Sequence, residues 1–112
     1  LKLYGLKTCD ACRKAIRALK ESGRAVDFVD LRADGASRKQ IEAWAKAAGW
    51  RKLLNRSSTT WRGLDAADKE NLDEKKALAL MAANPTLIKR PVIEMDGKVF
   101  IGWSDATREA LL

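Results

Sequence analysis

The only two cysteines of this 112-residue chain stand in Thr8-Cys9-Asp10-Ala11-Cys12, at the junction of a strand-like run and an amphipathic helix. Lys2 to Gly5 (KLYG) is short and mostly apolar and fits a buried strand. From Cys12 the apolar positions Cys12, Ala15, Ile16 and Leu19 follow the i, i+3, i+4, i+7 rule, with Gly23 at the place of a C-cap. The helix therefore starts at or just after the first cysteine. Val26 to Leu31 (VDFVDL), rich in β-branched and aromatic residues and closed by Asp34-Gly35, reads as a second strand. The result is a βαβ unit in about 31 residues, which implies parallel strands joined by a right-handed crossover.

Downstream, Ser37 and Gln40 form a capping-box pattern, and Ile41, Trp44, Ala45 and Ala48 then line one helical face up to Gly49. Trp44 belongs to a core on this pattern. Residues 50 to 63 lack a clean period and form a polar, basic stretch in which Trp61 either stacks a partner or anchors the loop. Asp73 caps a further helix through Ala83, which Asn84-Pro85 stops. Val92 to Met95 and Val99 to Ile101 flank Asp96-Gly97, a two-residue hairpin signal, and Ser104 or Asp105 caps a last short helix.

The placement of the cysteines gives them a chemistry. A thiolate at a helix N-terminus is stabilised by unpaired backbone N–H groups and by the positive end of the helix dipole. Cys9 occupies that end and is assigned as nucleophile. Cys12, one turn further on, is close enough to attack a mixed disulfide on Cys9 and is assigned as the resolving thiol. The alternative for Cys12 is an ordinary small hydrophobe in the apolar stripe. Lys7, Arg13 and Lys14 are near enough in sequence to add to thiolate stabilisation, against the plainer reading of solvated surface charges.

Composition removes competing functions. Histidine is absent, so Ser-His-Asp and Cys-His nucleophile pairs, HExxH sites and Cys/His zinc fingers are excluded within the chain. Two cysteines alone fall short of the roughly four ligands of a zinc site, and no metal is expected. The glycines form neither GxGxxG nor GxxxxGK[ST], so no phosphate cradle and no tightly bound cofactor are expected. The longest apolar run, Ala77 to Ala83, is far short of the roughly 18 residues of a membrane span. With no secretory pattern at its start, a cytoplasmic location is expected. Lys plus Arg number 22 against 15 Asp plus Glu, a formal charge of +7 that attracts anions in general. No nucleic-acid reading module accompanies it, so nucleic acid is not the expected partner.

Four segments, LYGLKTCDACRKA at the start, DLRADG after the second strand, LLNRSSTTWR at residues 53 to 62 and NPTLIKRPVIE at residues 84 to 94, together resemble the ArsC-like branch of the thioredoxin fold. That branch includes arsenate reductases, Spx-type transcriptional regulators and YffB-like reductases, and the likeness is strongest to the YffB-like members. The resemblance implies one α/β, thioredoxin-like domain over residues 1–112: a four-stranded mixed sheet with a helical insertion, at about residues 36–84, between strands 2 and 3. It also implies a cis proline at Pro91 facing the redox loop.

Functionally, it implies a thiol–disulfide reductase that uses glutathione as co-substrate, with glutathione or glutaredoxin restoring the dithiol. Thr8, Asn55, Arg56, Arg90 and Pro91 are the implied substrate-binding positions. In arsenate reductases three arginines hold the oxyanion beside a lone cysteine that matches Cys9. Only Arg90 matches them cleanly, since the first falls at Asn55, with Arg56 one residue along, and the third falls near Gly102, in Ile101-Gly102-Trp103. Each lost charge-assisted hydrogen bond is worth roughly 1.5–3 kcal/mol, which argues against arsenate as substrate. Spx-type regulators use the same CxxC as a redox switch and bind the RNA polymerase α-subunit, so redox sensing is the rival expectation.

Overall fold

The computed structural model describes residues 1–112. In chain order the elements are β1 (Lys2–Gly5), α1 (Asp10–Glu21), β2 (Asp27–Asp30), α2 (Leu31–Asp34), α3 (Arg38–Ala48), α4 (Trp50–Leu53), α5 (Thr59–Arg62), α6 (Ala66–Lys69), α7 (Glu74–Ala83), a 3-10 turn (Pro85–Leu87), β3 (Val92–Met95), β4 (Lys98–Ile101) and α8 (Asp105–Leu111). Residues 1–34 and 90–112 form one compact unit, and residues 35–89 form a second.

The first unit is an α/β structure on a four-stranded mixed sheet of order β2-β1-β3-β4. β1 runs parallel to β2 and antiparallel to β3, which pairs antiparallel with β4. The predicted parallel βαβ unit is thus present, and the Asp96-Gly97 turn closes the β3–β4 hairpin. Both turn residues have positive φ, +50° and +77°, as a type I′ turn requires. Leu3 and Ile93 are register partners and share a core with Cys12, Ala15 and Leu19 of α1 and Leu111 of α8. Both helices therefore cover the same face of the sheet.

Two boundaries differ from the sequence expectation. β2 is shorter than Val26 to Leu31, because the Asp30 carboxylate accepts from the backbone N–H groups of Arg32 (2.8 Å) and Ala33 (3.3 Å) and turns the chain into α2. The basic stretch after Gly49 contains two four-residue helices, α4 and α5, and a third, α6, follows it, each too short to show a helical period.

The second unit is helical. Ile41, Trp44 and Ala45 of α3 are buried, and α3 packs on α4 and α7, whose Ala77, Leu78 and Met81 are buried in turn. Trp44 has no exposed surface, in agreement with its expected core position. A bridge between Leu54 and Ile88 ties the middle of the unit to its C-terminal end, with Asn55 N–H donating to Leu87 O at 2.7 Å and Lys89 N–H to Leu53 O at 2.8 Å. The capping box of α3 is complete: Ser37 Oγ accepts from Gln40 N–H at 3.1 Å while Gln40 Oε1 accepts from Ser37 N–H at 3.2 Å. Ser37→Ala is expected to destabilise the chain by about 1 kcal/mol, read as a lower urea midpoint at unchanged slope.

Candidate active site

The site grows from the turn between β1 and α1. Cys9 is the N-cap of α1, with extended backbone (φ −83°, ψ 119°) and no side-chain capping bond. Its N–H donates to Leu6 O at 3.1 Å and its carbonyl accepts from Arg13 N–H at 3.0 Å. Those two bonds fix the half-buried thiol at the N-terminal end of a twelve-residue helix. Cys12 lies one turn along on the core side and has no exposed surface.

The two thiols have opposite proton affinities. At Cys9 partial burial pushes the pKa up, but it is outweighed by hydrogen bonds from the backbone and thiol of Cys12 and by a hydrogen bond and positive charge from Arg90. The net shift is downward, toward the thiolate. At Cys12 burial dominates and raises the pKa. The backbone hydrogen bond from Leu6 opposes it, while the hydrogen bond and negative charge of Cys9 add to it, and the thiol is pushed up to about 12. The pair therefore gives up its first proton at Cys9 and keeps the second at Cys12, shared toward the thiolate.

Arg90 is the distant contributor to this arrangement. The chain re-enters the sheet unit at Arg90-Pro91, whose peptide bond is cis, and the buried Pro91 carbonyl accepts from Gly102 N–H at 2.8 Å. The cis bond agrees with the expectation from the family resemblance. The cations near Cys9 in sequence play a different part. Arg13 turns its Nε to the Lys7 carbonyl at 2.8 Å, and the cation that acts on the Cys9 thiol is Arg90.

Thr8 is exposed in the turn before Cys9. Asn55 and Arg56 belong to the helical unit. There, with Arg51, Leu54, Ser57 and Lys89, they line an open pocket of about 390 Å3 that carries three cations and no carboxylate. Asn55 Oδ1 accepts from Ser57 N–H at 3.0 Å, while the Arg56 guanidinium and Lys69 ammonium lie 5.8 and 5.6 Å from the centre of the Trp61 ring. Trp61 thus serves as a platform for cations.

Sequence reasoning missed Gly5. This last residue of β1 lies against Cys12, and a Cβ built on it overlaps Cys12 Sγ and comes within 3.3 Å of Cys12 Cβ. Gly5 lets the strand and the buried thiol approach, and its place on the strand just before the Cys turn was the available signal.

Residues 4–111 match the family model described as "ArsC family". An uncharacterized protein of Haemophilus influenzae is 41% identical over 108 residues, covering 96% of this chain and 95% of that protein. A protein of Neisseria meningitidis named arsenate reductase is 28% identical over 115 residues, covering 100% and 97%. A solved structure described as YFFB protein superposes with a TM-score of 0.93 at 46% identity, covering 99% of this chain and 98% of that one.

Proposed function

We infer that this chain, which belongs to the ArsC family, is a thiol–disulfide reductase of the YffB-like kind that works in the cytoplasm with glutathione as co-substrate. The observation that carries the reading is the division of labour between the thiols: Cys9 low in pKa and half-exposed, Cys12 buried and raised to about 12. In the first step the Cys9 thiolate attacks one sulfur of a substrate disulfide, forms a mixed disulfide and expels the other sulfur as a thiolate. Cys9 is then neutral, so two of the influences that raise the Cys12 pKa, the hydrogen bond and charge of Cys9, are gone. Cys12 next attacks Cys9 Sγ, the second substrate sulfur leaves and takes up the Cys12 proton, and the chain carries a Cys9–Cys12 disulfide. Two glutathione thiols restore the dithiol and leave as glutathione disulfide.

In this reading Arg90, which acts on the Cys9 thiol, also binds a carboxylate of glutathione, and Pro91 and Thr8 are further contacts of that substrate. Arg56 and Asn55 offer a second place for an anionic group in the pocket of the helical unit. Arsenate is not the proposed substrate. Of the positions where arsenate reductases carry arginine, the first is an amide here, Asn55, and the third falls near Gly102, whose φ of +79° strains any L side chain at that residue.

The test is alkylation of each cysteine against pH. Cys9 is expected to react with a midpoint below the ordinary value of about 8.5, and Cys12 to stay protected until strongly alkaline pH. Arg90→Gln is expected to move the Cys9 midpoint upward and slow both alkylation and disulfide turnover at neutral pH several-fold. An unmoved midpoint removes Arg90 from the mechanism, and two ordinary thiols remove the mechanism itself.

A further inference from the structure

Beside the segment that leads into the Cys9 turn, α1 and the residues of and before β2 enclose a groove of about 300 Å3. Leu6, Ile16, Val26 and Phe28 make its apolar floor, and Lys7, Arg13 and Lys20 are its only charged lining residues. The placement follows from the elements. Arg13, Ile16 and Lys20 fall at i, i+3 and i+7, one stripe of α1. Phe28 is in register with Leu3 and shares its face of the sheet, whereas Asp27 alternates to the other face. β2 is the outermost strand on this side, so the groove opens at the sheet edge. Its inner wall is the segment that holds the thiols, because the Leu6 carbonyl accepts from Cys9 N–H and the Leu6 backbone is hydrogen-bonded to Cys12.

The volume lies at the lower end of the roughly 300–1,000 Å3 of ligand clefts, enough for an anchoring side chain and little more. Its rim is cationic throughout, which complements carboxylates and repels basic segments. We propose that this groove docks a peptide segment of a protein substrate, an apolar side chain flanked by Asp or Glu, and so presents that protein's disulfide to Cys9. The proposal rests on the thiol–disulfide reading and specifies its substrate class: acidic protein disulfides in preference to small ones.

Two peptides test it, each with Phe-Leu and a cysteine held in a mixed disulfide with glutathione, one flanked by Asp and Glu and the other by Lys. At low salt the acidic peptide is expected to be reduced with a kcat/KM about tenfold higher. Lys20→Glu, an exposed change on α1 remote from the thiols, is expected to lower kcat/KM for the acidic peptide about threefold or more, raise it for the basic one, and leave 2-hydroxyethyl disulfide unaffected. Equal rates for the two peptides, or no response to Lys20→Glu, overturn the docking proposal while the reductase reading stands. Should the wild type reduce none of the three, the reductase reading falls and the groove is judged by NMR alone. Shifts at Ile16, Val26 and Phe28 on adding cysteine-free acidic peptide support acidic docking, and their absence overturns it. If only the small anion 8-anilinonaphthalene-1-sulfonate shifts those residues, the groove takes small anions and the peptide proposal is overturned.

Discussion

Cys9→Ser is expected to abolish disulfide turnover, by roughly 10^3-fold or more, because a serine hydroxyl keeps its proton at working pH and the other sulfur is buried. Cys12→Ser is expected to separate the half-reactions instead. The Cys12 backbone N–H and Arg90 still favour the Cys9 thiolate in that variant, so the mixed disulfide forms. Nothing resolves it from within. Exposed to oxidised glutathione and weighed as the intact chain, the wild type should show loss of two hydrogens, Cys12→Ser one glutathione adduct, and Cys9→Ser neither. Turnover retained by Cys9→Ser would falsify the assignment of the nucleophile. If instead the wild type forms its internal disulfide but turns over no substrate, the dithiol is a sensor, and binding to the RNA polymerase α-subunit in the two redox states becomes the deciding measurement.

Proton linkage gives the pair a pH signature of its own. Cys9 is an acid whose folded pKa is depressed, so its contribution to stability is present above its unfolded pKa and is lost as pH falls through the folded one. Cys12 works in the opposite sense. Its folded pKa is raised to about 12, the native chain binds the proton that the unfolded chain releases, and stability falls as pH rises from the ordinary thiol range toward 12.

Local chemistry made most of the scaffold readable. Ser37 and Gln40 signal a helix start because each satisfies the other's backbone donor, and both bonds are present. Asp96-Gly97 signals a hairpin because its residues accept positive φ. The N-cap place of Cys9 was readable for the same reason, since it stands just ahead of an amphipathic stripe. Three features were not. Leu31 continued an apolar run, and only the side chain of the preceding Asp30 turns it into α2. The helices between residues 50 and 69 are single turns, and a period needs more than one. Arg90 is 81 positions from Cys9, and no spacing connects them; the family resemblance singled it out, while its charge on the thiol appears only once the sheet is assembled. Tyr4 and Glu94 make the same point, with a 2.8 Å hydrogen bond across β1 and β3 between the two ends of the chain.

Gly5→Ala is expected to weaken both stability and the resolving step, because one contact serves both. The clash that a Cβ at this position makes is with Cys12 Sγ and Cys12 Cβ, and neither end can yield freely. Gly5 is hydrogen-bonded in β1 in register with Asp30, and Cys12 is packed among Leu3, Ala15, Leu19, Ile93 and Leu111. Overpacking of this kind costs about 1–3 kcal/mol. Gly5 carries no positive φ, so the penalty is contact and not backbone strain, and a double-mutant cycle separates the two. In a Cys12→Ala background the nearest colliding atom is absent, and Gly5→Ala is expected to cost at least about 1 kcal/mol less than in the wild type. Equal costs in both backgrounds would assign the penalty to the strand itself. The same displacement moves the resolving sulfur relative to Cys9, so Gly5→Ala should let the glutathione adduct accumulate although both cysteines are present, while Cys9 alkylation stays fast. A variant that loses stability but resolves its adduct at the wild-type rate would limit Gly5 to packing. Slow resolution would show that the strand's last residue sets the reach of Cys12 to Cys9.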